Sequence, residues 1–201
     1  APTDIAFRLN LVTTEDGVLT DYSGGHTEPE VATELMAALR DAFETPTVRF
    51  YNGVSYRNLL VLSGPQYSDE LTTDKPDDNH GERVFDHLPQ ARKPEAEDTA
   101  VLLRRLVAHA PAVLEACPAN RRLRAAGRPV ANGIWPWYGG RARPFRSLRE
   151  RYGIRGAVIS AVDVIVGLGR SLGMEVLRVP GVTGYIDTNY EGKADAAIEA
   201  L

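Results

Sequence analysis

IAFRLNLVTTEDGVLTDYS, residues 5–23, decides the fold. Residues 5–14 are rich in β-forming side chains and alternate in part, which predicts a strand. EDG at 15–17 signals a turn, and VLTDYS at 18–23 returns as a second strand, giving a hairpin. Hairpin strands pair antiparallel, which disfavours an all-parallel sheet. VRFYN (48–52) and SYRNLLVLSG (55–64) add two more strands around Gly53.

Between these pairs, PEVATELMAALRDAFE places Val31, Leu35, Ala38, Leu39 and Ala42 on one stripe of an amphipathic helix. Thr27 reads as its N-cap, with Glu30 completing a capping box. Residues 65–98 are polar, with four Pro and many acidic residues, and read as a long loop, mobile or functional. A helix follows from Asp98 to Cys117, which Pro111 is expected to kink or divide. ANRRLRAAG and FRSLRERYG read as short helices around the aromatic segment GIWPWYGG (133–140). The end alternates: RGAVISAV as strand, 163–174 as helix, MEVLRVP as strand, and a last helix capped by Thr188 or Asn189. Together these predict an α/β (α+β) fold: a mixed, mainly antiparallel sheet covered by helices, as a ferredoxin-like two-layer domain over 1–201.

Composition narrows the class. The chain has 201 residues, 43% apolar and 25% charged, ordinary values for a globular protein. No apolar run reaches the ~18 residues of a membrane span. The start at Ala1 lacks the basic and apolar regions of a secretory signal and implies a processed or excised chain. The single Cys117 forms no internal disulfide, which fits a reducing, cytoplasmic setting. Net charge is −4, yet residues 121–155 carry ten Arg against Glu150 alone, a local +9 that leaves −13 elsewhere. Such a stretch implies either an anionic partner or a helix face paired with acidic neighbours. Nucleic acid is disfavoured by the acidic pI and the lack of a nucleic-acid motif.

The residues alone do not reach a reaction. There is no GxSxG elbow, no HExxH, no CxxC and no Walker loop. VGLGRSLG (166–173) imitates a dinucleotide fingerprint without its strand–turn–helix context, and its glycines read as close packing. Asp74, Asp77, Asp78 and His80 crowd TTDKPDDNHGE, a weak candidate for Mg²⁺ or Mn²⁺. Arg8, Arg57, Arg141 and Arg143 are the anion candidates, because the guanidinium fork suits phosphate and carboxylate. Trp135 and Trp137, two apart on an extended segment, face one way as a core filler or a binding wall.

AFRLNLVT, DYSGGH, FYNGVSYRNLLVL, PANRRLRAAGRPVANGIWPWYGG, RYGIRGAVISAVD and GVTGYIDTNYEGKADAAIEAL occur in this order from Ile5 to Leu201. They resemble the archaeal-type cofactor-independent (2,3-bisphosphoglycerate-independent) phosphoglycerate mutases of the alkaline-phosphatase-like metalloenzyme superfamily. The bacterial branch once proposed as homoserine kinases is the most similar. The resemblance implies an isomerase of 3-phosphoglycerate and 2-phosphoglycerate that needs no 2,3-bisphosphoglycerate. It also implies two divalent metals (Mn, Mg or Zn) and a transiently phosphorylated Ser, both in a core outside this chain. The chain then corresponds to the inserted lid, with no catalytic residue and no metal of its own, inactive when isolated. Its partners are the phosphoglycerates and the metalloenzyme core of the same protein, with no nucleic acid and no membrane.

Within the matching strings, the resemblance assigns substrate contacts to Arg8, Asn10, Arg57, Asn132, Trp135, Arg141 and Asp163, and hinge positions to Gly181 and Gly184. His80 stands in KPDDNHGE where relatives carry Pro-His-Asp. Val166 stands where relatives often have Lys, and IWPWYGG replaces the usual IWLWGQG. Two other readings stay open: a phosphotransferase such as a homoserine kinase, and a non-catalytic binding domain using the Trp pair.

Overall fold

The computed structural model describes residues 3–201, and the chain divides into two compact units, one ending at Ala142 and one from Arg143 to Leu201. The first unit begins with the predicted hairpin, β1 (Ile5–Glu15) and β2 (Val18–Asp21). Asp16 (φ 49°) and Gly17 (φ 77°) form its two-residue tip. Positive φ at both central positions gives the turn whose twist matches a hairpin.

α1 (Pro29–Phe43), β3 (Val48–Tyr51), β4 (Arg57–Leu62), α2 (Glu97–Ala116), α3 (Pro118–Ala125) and β7 (Gly133–Arg141) build the rest of the layer pair. In the main sheet β1 lies between β4 and β7, β3 flanks β4, and every pairing is antiparallel. β1–α1–β3 and β4–α2–β7 are therefore two interleaved βαβ units, the ferredoxin-like arrangement. β2 pairs with the far end of β1 and, at Val18, bridges to Arg83.

Strand burial alternates, as it does when one face packs on helices and the other meets solvent. Ile5, Phe7, Leu9, Leu60 and Leu62 point to the helices and meet Leu35, Met36, Leu39, Leu103 and Leu114, all fully buried. The outer face is partly roofed by residues 71–91. This stretch, read as loop, holds a two-stranded ribbon, β5 (Leu71–Thr72) with β6 (Gln90–Ala91), and short 3₁₀ turns at 76–78 and 84–87. Under it lies a second cluster of Val12, Leu19, Trp135 and Trp137, with Val84 against it.

Two local expectations change. Thr27 does not cap α1. The helix starts at Pro29, which needs no N–H donor at the first position, and the Thr27 hydroxyl donates back to the Gly24 carbonyl (2.9 Å). Pro111 does not divide α2, which runs unbroken through it.

The second unit is smaller: α4 (Leu148–Tyr152), β8 (Ala157–Val158), α5 (Asp163–Ser171), β9 (Glu175–Val176) and α6 (Tyr190–Glu199). β8 and β9 pair in parallel, shorter than the runs around them suggest. A capping box does occur here, between Ser147 and Glu150 at the start of α4. The Asn189 side chain caps α6 by accepting from Gly192 N–H (2.9 Å). A Cβ at Gly169 would fall 2.5 Å from Val158, so this glycine does let α5 close on β8.

Candidate functional site

β1 turns Ala6, Arg8 and Asn10 away from the helices. Across the strand pairs, Arg8 stands opposite Leu59 and Trp137, and Asn10 opposite Arg57 and Trp135. Arg8 and Arg57 are thus diagonal neighbours on adjacent strands, a relation that separates Cβ atoms by about 7–8 Å. Both are exposed.

Each of these arginines lies on an aromatic ring. The Arg8 guanidinium carbon is 4.1 Å from the Trp137 ring centre, and that of Arg57 is 4.2 Å from the Tyr56 ring centre. Stacking of this kind adds a cation–π attraction and fixes the plane of the fork. Neither forms an ion pair with a carboxylate among the described residues. Two pre-oriented cations with uncommitted edges can take an anion with two charged ends.

The stacking partners are themselves held. Trp137 Nε1 donates to Asn10 Oδ1 (3.0 Å), and Asn10 Nδ2 donates to the Tyr22 carbonyl (3.0 Å). Asn10 is 2% exposed, so it acts as a strut beneath the face rather than a group presented on it. Tyr56 packs edge-on against Tyr22 and against His26, which sits in the left-handed region (φ 50°). That loop is organised by Asp21, whose carboxylate accepts from Ser23 N–H and Oγ and from Gly25 N–H. Partial burial pushes the Asp21 carboxyl up, but these hydrogen bonds prevail and hold it below its ordinary value.

Asn132, Trp135 and Arg141 are committed elsewhere. Asn132 pairs its carboxamide with the backbone of Thr14, accepting from its N–H (2.7 Å) and donating to its carbonyl (2.8 Å). Trp135 donates to the Asp74 carbonyl (2.9 Å) and is 3% exposed. Arg141 donates to the carbonyls of Thr3 and Tyr67 and meets Asp69 at 3.4 Å. His80 is exposed in the turn that hydrogen-bonds to Leu19. In the second unit, Asp163 lines a cleft at the carboxyl ends of β8 and β9 with Ser160, Arg170 and Arg178. Gly181 has φ 75°, and its carbonyl accepts from Asn189 N–H; Gly184 faces open space.

The acidic stretch around residue 77 is taken up by a hydrogen bond and by ion pairs to Lys75. Asp74 meets His87 Nδ1 at 2.7 Å, and Lys75 meets Asp77 and Asp78. No group of three or more His, Cys, Asp and Glu converges among the described residues. Much of the basic run is also paired, Arg122 with Glu34, Arg124 with Glu115 and Arg128 with Glu28. Among the described residues no helix is long and apolar enough to cross a membrane.

Sequence reading singled out Arg8, Arg57 and the Trp135–Trp137 pair, but neither Tyr56 nor the stacking of each arginine on its ring. Tyr56 is the residue before Arg57, and Trp137 stands opposite Arg8 only through the β1–β7 register. Both stackings become legible only once the pairing is known.

Comparison with known proteins gives a consistent answer. The family model for 2,3-bisphosphoglycerate-independent phosphoglycerate mutase matches residues 1–120. A 2,3-bisphosphoglycerate-independent phosphoglycerate mutase of Methanosarcina acetivorans is 44% identical over 201 residues, covering all of this chain and 49% of that protein. A probable one of Geobacter sulfurreducens is 41% identical over 202 residues, covering 98% of this chain and 49% of its own length. The structure of a cofactor-independent phosphoglycerate mutase from Thermoplasma acidophilum superposes with a TM-score of 0.63 at 28% identity, over 98% of this chain and 52% of that one. The PH0037 protein from Pyrococcus horikoshii, at 24% identity and a TM-score of 0.70, shares the fold; all of this chain and 45% of that one are covered. The chain spans about half the length of the curated relatives it matches. On the family match, the chain belongs to the 2,3-bisphosphoglycerate-independent phosphoglycerate mutases.

Proposed function

We propose that residues 1–201 are the substrate-gripping insert of a phosphoglycerate mutase that interconverts 3-phosphoglycerate and 2-phosphoglycerate. The observation that carries this reading is the pair of stacked, unpaired arginines, Arg8 and Arg57, side by side on the outer sheet face. A phosphoglycerate has two anionic ends, phosphate and carboxylate. Each guanidinium offers a planar fork to one of them, already oriented by its ring, so little side-chain freedom is lost on binding.

In this reading Asn10, Trp135, Asn132 and Arg141 contribute by holding the frame: Asn10 fixes the Trp137 ring under Arg8, and the others tie β7 to its surroundings. The face closes over the reacting phosphoryl group and excludes water, which suppresses its loss to hydrolysis. Gly181 and Gly184 serve as hinge positions, and Asp163 and His80 are further substrate-side candidates. In this reading the transiently phosphorylated Ser and the two divalent metals belong to the half of the relatives' length that this chain does not span. When bound, such metals would supply charge neutralisation of the attacking and leaving oxygens.

Replacing Arg57 by Ala in the full-length protein is expected to raise KM or lower kcat by roughly tenfold or more, the scale of one charged hydrogen bond. Unchanged kinetics would remove Arg57 from the site. Turnover of phosphoglycerate by the full-length protein without ATP separates this function from a homoserine kinase. The isolated 201 residues are expected to show no turnover.

A further inference from the structure

A groove at the start of β7 has no part in the proposed reaction, and neither Arg8, Arg57 nor their platforms Trp137 and Tyr56 line it. It runs between α2, which contributes Ala108 and Pro111, and the 84–88 turn, which contributes Phe85 and Leu88. Gly133 and Ile134 of the edge strand lie beneath, and the space amounts to about 560 Å³. Its surface is apolar, and the Phe85 ring is 76% exposed, unusually high for an aromatic with no partner over it.

The permanent charges around this groove have one sign. Arg83, Arg104 and Arg105 line it together with His109, and no Asp or Glu does. Neither Arg83 nor Arg105 forms an ion pair among the described residues, whereas Arg104 is committed to Glu97 and the Pro89 carbonyl. His109 donates from Nδ1 to the Arg105 carbonyl (2.8 Å), which leaves Nε2 for another partner. Pro111 lacks an N–H, so it cannot donate to the Val107 carbonyl one turn back, and Val107 also lines the groove.

We propose that this groove binds a small amphipathic anion: one apolar body, alkyl or aromatic, ending in a phosphate or carboxylate. The volume lies in the range of small-molecule sites, which are mostly apolar with a few placed polar groups. The apolar body covers Phe85, Leu88 and Ala108, and the anionic end meets the Arg105 fork. The cations along the rim set the sign of the charge, so a neutral or cationic ligand with the same body binds less well.

The test is calorimetric titration of the full-length protein with octyl phosphate, 1-octanol and inorganic phosphate, all below micelle-forming concentrations. Octyl phosphate is expected to bind one-to-one and roughly tenfold more tightly than either fragment, the scale of one charge-assisted hydrogen bond. Arg105→Ala is expected to bring its affinity down to that of the alcohol, and Ala108→Trp, which fills the groove, to abolish it. Arg105, Ala108 and Phe85 are exposed, so these changes leave the core untouched, and a thermal melt of each variant checks this. No binding of octyl phosphate, equal binding by inorganic phosphate, or undiminished binding by a folded Ala108→Trp variant overturns the proposal.

Discussion

A methyl group at position 139 would sit 2.1 Å from the Phe7 ring. Phe7 is fully buried and has nowhere to move. The glycine is needed because the β1–β7 register slips between Ala6 and Arg8, which brings the backbone close to the ring. Gly139→Ala is therefore expected to destabilise the fold by about 1–3 kcal/mol, the range for overpacking, read as a lower midpoint in urea denaturation. Asp21 gives a second test at this scale. Its carboxyl is held below the ordinary value, so its contribution is present above the unfolded pKa, taken as 3.8, and is lost as pH falls through the lowered folded value. Stability of the wild type is expected to fall across that window, and Asp21→Asn to flatten this part of the acid limb. An unchanged acid limb in the variant would remove Asp21 from it.

At the scale of elements, the sequence was most readable where periodicity is strong. The hairpin at 5–21, α1 and α2 follow from alternation and an apolar stripe. β7 was harder. Pro136 and its flanking glycines argue against a strand interior, and β7 is in fact an edge strand, where a missing N–H costs no ladder bond. The roof at 71–91 carries no period at all. Its place is set by tertiary bonds such as Trp135 Nε1 to the Asp74 carbonyl, which no local pattern reveals. The same holds for the candidate site: Arg8 and Arg57 stand out as cations in apolar strands, but their adjacency depends on a register that only the pairing supplies. Pro111 offers the test here. It sits inside a continuous helix and deletes one backbone donor. Pro111→Ala restores that bond and is expected to stabilise the protein by about 1–2 kcal/mol, the helix gain less the added freedom of the unfolded chain. A thermal melt with no upward shift would count against it.

At the scale of the whole molecule, the two units differ in how they bury apolar surface. The first has a closed core of leucines, valines and aromatics between helices and sheet. In the second, Tyr152, Ile154, Val164, Ile165, Leu168 and Ile198 are all exposed, and no member of either hydrophobic cluster comes from it. A two-stranded parallel pair with one face of helix rarely stands alone. Residues 1–142 expressed by themselves are expected to melt in one cooperative transition, and residues 143–201 by themselves to show none by circular dichroism. A sharp transition in the shorter piece would reverse this assignment.

The pairing of Ile5 with Arg141 has a consequence for how the first unit is bounded. Its first and last strands are antiparallel neighbours, so the two ends of this unit lie within about 5 Å of each other. A short turn joining residues 5 and 141 would close residues 5–141 into a ring, and a new opening at the Asp16–Gly17 hairpin tip would leave the strand order of the sheet intact.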